Sequence, residues 1–445
     1  MKVASSSLSM ARELVRKLAW PAIRRLGYAI AWNYPWLYLK LLVRWKLQRS
    51  VYFRLVQSGK SDRTSVPLSD DRDALLTNLP RKNILYAIHW YELSGAELFA
   101  LYTMKLAQGL GHRCYCVSTV PSKNRERPAF EKYCVEVLDF ASSGAVQDFK
   151  EFISHYIRAN SIQVIHIHHS ALMYEALSDL KRDFPHLIVI DTTHIVEYGN
   201  GGFPQLSARY SAFIDKHNVA SRGLIYVQRE LFRQIHSTEL DVNKFQLTYA
   251  SSLTRAEPVQ AKVAQRDRKV ITFYGRLVLQ KQPNIFIATV ECLMERHPEL
   301  NVEANIYGEG ELQAKLESRI ARSKFRDRFH YLGRCDDKRT VFEDTDILLL
   351  SSLNEGLSFT SYEALIFQVL VVSSDVGDQS ELLCSKCLVP LTPGFIEDAA
   401  TKLFEFLSDD EKYTEALAQN FRNLQCIRLQ EVNSVAVAKL YSIGL

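Results

Sequence analysis

The chain has 445 residues, enough for about three domains of roughly 150 residues each, so a single small binding module is excluded. Hydrophobic residues make up 47% and charged residues 24%, with only 18 glycines and 13 prolines, which excludes disordered, collagenous and low-complexity classes. The eight cysteines are scattered and too sparse for a disulfide-stapled secreted domain, so we expect reduced, intracellular thiols. Cys384 and Cys387 form one C-x-x-C pair without a second evident ligand pair, and no metal site is predicted there.

The first 60 residues carry most of the basic charge. They contain twelve Lys and Arg residues and one acid, Glu13, which gives a formal charge of +11 against +5 for the whole chain, and they hold four of the five tryptophans. Apolar residues recur at helical spacing around residues 11–18, and the longest uncharged stretch, residues 26–39, is shorter than the about 20 apolar residues that cross a bilayer. Basic and amphipathic aromatic residues together predict a helical arm that lies on an anionic membrane surface through residues 1–60.

Two alternatives for this arm stay open, since packing on the protein's own body and binding of nucleic acid are both compatible with a basic helical segment. Tryptophans have no evident use in neutralising phosphates, so no nucleic-acid partner is expected. Charges interrupt any apolar core that a cleavable signal peptide would need. The predicted location is therefore cytoplasmic, peripheral on the inner face of the membrane.

Short apolar runs alternate with longer helical patterns from residue 83 onward, which is typical of βαβ units. In a first series, strands are predicted at residues 83–88, 114–119, 163–168, 187–191 and 224–227, and helices at 96–108 and 171–184. In a second series, strands are predicted at residues 270–274, 302–307, 329–332, 346–350 and 370–373, and helices at 284–297, 311–321 and 361–367.

This order of elements predicts an α/β protein with two doubly wound Rossmann-like domains that face a central cleft, preceded by a basic aromatic helical arm. The predicted domains are the arm at residues 1–72, an N-terminal domain at 80–250, a polar interdomain linker at 251–268 and a C-terminal domain with terminal helices at 269–445. Because parallel sheets bind ligands beyond the carboxyl ends of their strands, we expect the site in the strand-to-helix loops.

Charged residues stand in two of these loops of the second series. Arg276 and Lys281 lie between a predicted strand and the start of a helix, where cations and backbone N–H groups together can hold a diphosphate. Glu355 and Glu363 are eight residues apart around another helix start and can accept hydrogen bonds from vicinal sugar hydroxyls. Each signal is weak alone, because loop cations are usually solvated and a first-turn Glu often only complements the helix dipole.

Five motifs in register resemble the C-terminal half of retaining, nucleotide-sugar-dependent glycosyltransferases of the GT-B fold, family 4 type. These are Gly275-Arg276 with Lys281, Tyr307-Gly308-Glu309-Gly310-Glu311-Leu312, Phe329-His330-Tyr331-Leu332-Gly333, Glu355-x7-Glu363 and Asp375-Val376-Gly377-x3-Glu381. The resemblance covers about residues 80–430 and is strongest at 268–385. It implies that the C-terminal domain binds a nucleotide sugar and that the N-terminal domain binds the acceptor.

The resemblance also assigns roles to single residues. It implies that Arg276 and Lys281 hold the donor pyrophosphate, that Glu355 contacts the donor sugar, and that Glu363 contacts the nucleotide ribose. The residues it implies for donor binding are Gly95, Gly275, Gly356, Leu357, Ser358 and Glu363, and those it implies for catalysis are Arg276, Lys281, Glu355 and His194.

The N-terminal half supports the resemblance less strongly. Residues 94–97, around Gly95, are similar to the Gly-rich loop that in this family lies against donor phosphate and acceptor, and residues 191–194 are similar to a Thr-His loop whose His contacts the donor sugar. A His-x-His pair, His166 and His168, also resembles a family strand, but a structural role is favoured because most histidines of this kind are satisfied core groups.

Three features depart from the family pattern. Gln368 and Leu370 stand where a Gly and a Pro are usual, and the interdomain Pro-Asn-Gly turn is absent, with Tyr249-Ala250-Ser251-Ser252 at about that place. They affect turn geometry and remove no charge from the predicted site. The expected activity is therefore retaining hexosyl transfer to a glycan or lipid-linked acceptor, with a nucleotide-diphosphate sugar as co-substrate and no metal cofactor. A nucleotide-sugar epimerase or hydrolase of the same fold, and a catalytically silent membrane-bound scaffold, are the alternatives.

Overall fold

The computed structural model describes residues 29–47, 49–60, 80–92, 94–141, 148–249, 267–428 and 433–443. The predicted helix around residues 11–18 and nearly all of the predicted linker at 251–268 lie outside the described residues.

The first Rossmann-like domain is built on a seven-stranded parallel sheet with the strand order β3-β2-β1-β4-β5-β6-β7. Its strands are β1 (Asn83–Ile88), β2 (Arg113–Ser118), β3 (Glu136–Asp139), β4 (Val164–His168), β5 (Ile188–Thr193), β6 (Lys216–Val219) and β7 (Phe245–Leu247). β1, β2, β4 and β5 are buried almost throughout, because helices cover both faces of the sheet.

The second Rossmann-like domain has a six-stranded parallel sheet with the order β10-β9-β8-β11-β12-β13. Its strands are β8 (Lys269–Tyr274), β9 (Val302–Tyr307), β10 (Phe329–Gly333), β11 (Ile347–Leu350), β12 (Leu370–Ser374) and β13 (Leu388–Val389). The two sheets and their helices confirm the predicted α/β class with two Rossmann-like domains.

Helices connect the strands and also stand before the first strand and after the last one within the described residues. In the first half they are α1 (Pro35–Leu41), α2 (Val51–Gly59), α3 (Gly95–Gly109), α4 (Arg127–Glu131), α5 (Asp148–Ala159), α6 (Ala171–Asp183), α7 (Gly202–Tyr210) and α8 (Arg222–His236). In the second half they are α9 (Pro283–Arg296), α10 (Gln313–Ala321), α11 (Lys338–Phe342), α12 (Phe359–Ile366), α13 (Phe395–Ser408), α14 (Asp410–Arg428) and α15 (Ser434–Tyr441).

The predicted strand at residues 224–227 is wrong, because that segment lies inside α8. Its apolar residues are buried as part of the inner face of an amphipathic helix, in which Gln228 and Leu231 continue the stripe. The strand is instead the preceding β6, whose Lys-His-Asn-Val sequence has no apolar run and so gave no strand signal.

The described part of the arm, residues 29–60, packs on the protein's own body. Leu39 is fully buried, and Asn284 of α9 donates a hydrogen bond from its Nδ2 to the carbonyl oxygen of Ala31. On the other domain, Ser50 Oγ donates to the carbonyl oxygen of Tyr198 at 2.5 Å. One face of this segment therefore joins both domains, as the packing alternative proposed.

The last described helix returns to the first domain. The Tyr441 hydroxyl lies 2.6 Å from the Tyr86 hydroxyl and 2.8 Å from His166 Nδ1, while Lys82 Nζ donates to the Tyr441 carbonyl at 2.7 Å. Although the sequence counts α15 with the C-terminal domain, it packs on the N-terminal sheet. The chain thus crosses between the domains a second time.

Candidate active site

The loop after β8 carries the two predicted phosphate-binding cations. It leaves the sheet at Gly275 and ends at the N-terminus of α9. Gly308, at φ 137°, and Gly310, at φ 157°, lie so close to the backbone of this loop that a Cβ on either would collide with a carbonyl group of Gly275 or Leu277. Glycine is therefore needed at both positions to hold the loop against β9.

Lys281 and Glu355 form the ion pair at the centre of the site. Lys281 Nζ lies 2.6 Å from Glu355 Oε1, and their side chains are 17% and 7% exposed. Ser352 Oγ donates a second hydrogen bond to the same carboxylate oxygen at 2.6 Å. A loop cation and a loop acid 74 positions apart in the sequence are thus in direct contact.

Arg276 lies on the same loop with its side chain exposed, and its Nη2 donates to Gln280 Oε1 at 3.5 Å. That contact is long for a charged donor. The guanidinium therefore loses little hydrogen-bond energy when it turns from Gln280 toward an anion. Its five N–H donors suit the oxygens of a diphosphate.

Glu363 approaches the same loop from α12. Its Oε2 lies 3.2 Å from Lys338 Nζ, and that ammonium also donates to the hydroxyl of Tyr274, the last residue of β8. Burial raises the pKa of Glu363, and the positive charge of Lys338 offsets part of that rise. These contacts link the second acid of the E-x7-E pair, through Lys338, to Tyr274, which directly precedes the loop that carries Arg276 and Lys281.

The segment before α12 supplies backbone rather than side-chain groups. Ser358 caps the helix, since its Oγ accepts from Ser361 N at 3.4 Å. Gly356 packs directly on the carbonyl oxygen of His194, and a Cβ there would overlap that oxygen. Leu357 lies between them and is partly buried. Only glycine permits the two domains to approach this closely at residue 356.

Residues of the N-terminal domain form the opposite wall of the cleft. A Cβ on Gly95 would stand 3.0 Å from the ring of Phe359, and Asn354 Nδ2 donates to the Val196 carbonyl at 2.7 Å. The His194 ring lies 5.1 Å from that of Phe99, and burial lowers its pKa to about 3. His194 is therefore a neutral imidazole at the cleft, with a buried Nε2 that has no partner within the described residues.

The two histidines of the His-x-His pair, His166 and His168, lie in different environments. His166 Nδ1 lies 2.8 Å from the Tyr441 hydroxyl and its Nε2 lies 2.7 Å from Thr192 Oγ1, which fits the favoured structural role. His168 is 1% exposed, its ring stacks 5.9 Å from His194, and burial lowers its pKa well below the ordinary value. Neither of its nitrogens has a partner within the described residues.

Two further residues of the site were not singled out by the sequence. Glu97 is 2% exposed at the start of α3, accepts from Ser94 Oγ, and has its pKa raised to about 7 by burial. The charge of Arg276, across the cleft, partly offsets that rise. Lys338 begins the short helix α11, in a segment of mixed charge whose sequence gives no signal of a ligand site.

Within the described residues, no group of three or more His, Cys, Asp or Glu side chains is arranged to hold a metal ion. The Cys384 and Cys387 sulfurs lie 3.6 Å apart as free thiols.

Two facing Rossmann-like domains with a crevice between them define the GT-B class. Residues 255–424, which make up most of the C-terminal domain, match the family model described as glycosyl transferases group 1. The resemblance to GT-B glycosyltransferases is confirmed, whereas retention and membership of family 4 stay predictions.

Curated relatives match over a limited region. A Campylobacter jejuni protein is 27% identical over 152 residues, which cover 34% of this chain and 42% of that protein. It is named GalNAc-alpha-(1->4)-GalNAc-alpha-(1->3)-diNAcBac-PP-undecaprenol alpha-1,4-N-acetyl-D-galactosaminyltransferase. An uncharacterised glycosyltransferase of Methanocaldococcus jannaschii is 26% identical over 155 residues, covering 34% and 37%. The matches thus span less than half the length of these relatives.

Solved structures match over most of the chain. Anabaena HepE, in complex with UDP, aligns with a TM-score of 0.61 at 16% identity and covers 80% of this chain and 97% of its own. The pneumococcal O-GlcNAc transferase GtfA, in complex with UDP and GlcNAc, aligns with a TM-score of 0.62 at 12% identity and covers 81% and 98%. At these identities the likeness establishes the fold.

Proposed function

We propose that the protein is a retaining glycosyltransferase that moves a hexosyl unit from a nucleotide-diphosphate sugar to a lipid-linked or glycan acceptor at the cytoplasmic face of the membrane. The observation that carries this proposal is the Lys281–Glu355 pair, 2.6 Å apart, which joins the loop that carries Arg276 to the loop before α12, the helix that carries Glu363. The UDP complexes of HepE and GtfA support a uridine nucleotide, and the undecaprenol-linked substrate in the name of the Campylobacter relative supports a lipid-linked acceptor.

In this mechanism the donor pyrophosphate lies at the N-terminus of α9 between Arg276 and Lys281. As the glycosidic bond breaks, negative charge develops on the diphosphate, and preorganised cations stabilise that charge in a site from which water is excluded. Glu355, freed from Lys281 when the cation turns to phosphate, accepts hydrogen bonds from the donor sugar.

The acceptor hydroxyl attacks on the face from which the diphosphate leaves, so the departing phosphate oxygen can take its proton. The paired-carboxylate distances of glycosidases then do not apply. A neutral His194 fits this scheme because its N–H can donate to a sugar hydroxyl without adding positive charge beside the reacting carbon. Closure of the two domains excludes water and aligns the hydroxyl.

A screen of nucleotide sugars tests the proposed reaction. We expect release of nucleoside diphosphate from one donor, stimulated by a polyprenyl-diphosphate glycan, and unchanged in excess EDTA because no metal cofactor is proposed. Retention is read from the anomeric configuration of the product by NMR. Donor consumption without any acceptor product would favour the epimerase or hydrolase alternative, and failure to bind any nucleoside diphosphate in calorimetry would favour the scaffold.

The membrane part of the proposal rests on the outer face of the arm. Tyr34, Trp36, Leu37 and Leu41 are 40% to 63% exposed, while the opposite face of the same segment is buried in the body. Residues 29–60 contain six Lys and Arg residues and no acid. An apolar face with basic flanks suits an anionic lipid surface. Within the described residues, no helix is long and apolar enough to span a bilayer.

The double variant Leu37→Ser/Leu41→Ser should bind vesicles of anionic phosphatidylglycerol about tenfold or more weakly, because each buried leucine contributes about 1.5 to 3 kcal/mol. Sedimentation with vesicles measures the partition coefficient. Leu332→Ser, which alters a leucine of similar exposure (48%) in the C-terminal domain, is the matched control and should partition like wild type. Equal binding by all three proteins would contradict the role assigned to the arm.

A further inference from the structure

Lys338 is a further cation of the site, and it lies outside the loop that carries Arg276 and Lys281. It is the first residue of the short helix α11, and its side chain is 24% exposed. Its ammonium lies 3.2 Å from Glu363 Oε2 and donates to the Tyr274 hydroxyl. Three separate segments of the C-terminal domain therefore meet at this one nitrogen, at the carboxyl end of β8.

The geometry fixes the Glu363 carboxylate. A glutamate side chain has three rotatable bonds, and only an external contact can hold both its oxygens in one direction. Lys338 supplies that contact and is itself held by Tyr274, whose hydroxyl also donates to the Cys335 carbonyl at 3.2 Å. The ring of Tyr274 packs edge-on against Phe342, 5.8 Å away, so the hydroxyl has a fixed position. Tyr274 thus fixes the position of Lys338, and Lys338 fixes the position of the Glu363 carboxylate.

The charge of Lys338 matters as well as its position. To accept two hydroxyl protons, Glu363 has to be a carboxylate, because a protonated carboxyl group becomes a donor at one oxygen. The Glu363 side chain is 12% exposed, and burial raises its pKa while Lys338 lowers it. The pKa of Lys338 stays raised overall, because Glu363 and Tyr274 outweigh the effect of its own burial. Asp336 is the other charged group that acts on Tyr274.

We propose that Lys338 is a positioning residue that holds the Glu363 carboxylate in place to accept the vicinal hydroxyls of a ribonucleoside diphosphate. This inference rests on the proposed function, which assigns the ribose to Glu363, and adds the residue on which that assignment depends. The Lys338 ammonium contacts Glu363 and Tyr274 and acts on the nucleotide only through the Glu363 carboxylate.

The test measures UDP binding by isothermal titration calorimetry. Lys338→Met should weaken UDP binding about tenfold, the ratio expected when a hydrogen bond to a charged group is lost. Lys338→Arg, which keeps the charge, should recover most of the affinity. Lys402→Met is the matched control, since Lys402 also pairs with a glutamate, Glu405, at 2.8 Å on α13. It should bind UDP like wild type. Thermal unfolding of each variant confirms that it is folded.

Two further measurements separate positioning from general damage to the fold. With 2′,3′-dideoxyuridine diphosphate, which lacks the ribose hydroxyls, wild type and Lys338→Met should bind equally. With UDP, the affinity ratio of wild type to Lys338→Met should be larger at pH 6 than at pH 8. Without Lys338 the pKa of Glu363 rises further, because the positive charge that offsets the effect of burial is gone, so the variant loses its carboxylate at a higher pH than wild type does. Protonation of the nucleotide phosphate is common to both proteins and cancels in the ratio.

The failures are distinguishable. If wild type binds UDP and Lys338→Met binds it equally well, or loses the same factor for the dideoxy ligand, the role of Lys338 is overturned while the proposed function stands. If wild type binds none of UDP, ADP, GDP or TDP, the proposed function fails and the role of Lys338 fails with it.

Discussion

Replacing Arg276 by Ala should lower kcat/KM for the nucleotide sugar by about 100- to 1,000-fold, the usual cost of removing one preorganised group that stabilises transition-state charge. The side chain is exposed, and its long contact to Gln280 contributes little to the fold. The loss should therefore appear in the reaction and leave the unfolding midpoint unchanged. Initial rates of nucleoside diphosphate release across donor concentrations measure it. An Arg276→Ala protein with full turnover would contradict the assignment of the site.

Lys281→Met should cause a loss of similar size but should also destabilise the protein. Its removal leaves Glu355, whose side chain is 7% exposed, as a buried charge whose cationic partner is gone. The double variant Lys281→Met/Glu355→Gln should recover stability, because the uncompensated charge is gone, without recovering the rate. Lys324→Met, which removes an exposed lysine of the same domain, serves as the control for both variants and should keep wild-type turnover.

The sequence predicts the fold well where apolar runs are continuous. Strand β1 lies where the pattern placed it, residue for residue, because it is buried and apolar on both faces from Ile84 onward. Strand β9 also matches residue for residue, because its apolar residues alternate with Glu303 and Asn305 at the period of a strand. β6 was missed for the opposite reason. Its His217 and Asn218 are polar but buried, since they hydrogen-bond to neighbouring side chains instead of packing on apolar ones. Hydrophobic periodicity cannot detect a strand that is stabilised in this way.

The candidate site also contains some residues that the local sequence pattern predicts and others that it misses. Arg276 and Lys281 were predictable because the strand, the loop and the helix start are contiguous in the sequence. Lys338 was not, because its contacts with Tyr274 and Glu363 join segments 64 and 25 positions away. The pairing of His166 with Tyr441 spans 275 positions and depends on the return of the last described helix to the first domain. Contacts of this kind follow from topology, which local patterns do not encode.

Asp191→Ala should destabilise the N-terminal domain by about 3 to 5 kcal/mol, the usual cost of breaking a buried ion pair or its hydrogen-bonded equivalent. Asp191 and His217 are both fully buried, with Asp191 Oδ1 2.9 Å from His217 Nδ1. Tyr174 donates to Asp191 Oδ2 at 2.7 Å, and Ser211 Oγ lies 2.8 Å from His217 Nε2. The variant removes the acceptor of the buried Tyr174 hydroxyl and the carboxylate partner of His217 Nδ1, which keeps only Ser207 Oγ at 3.1 Å.

Ser211, His217 and Asp191 have the hydrogen-bond order of a Ser-His-Asp triad, but Ser211 is 1% exposed and no substrate can reach it. Their role is to fix β5 at Asp191, three residues before His194. We therefore expect the midpoint of thermal unfolding to fall by about 10 °C. Turnover below the transition should fall as well, because His194 loses its fixed position.

Asp179→Ala is the matched control for this substitution. Asp179 lies in the same domain on α6 and pairs at the surface with Lys150 and Arg182, where solvent screens the charges. Its replacement should leave both the unfolding midpoint and turnover unchanged. Equal midpoints for Asp191→Ala and Asp179→Ala, measured by circular dichroism, would show that the buried network does not stabilise the strand end that carries His194.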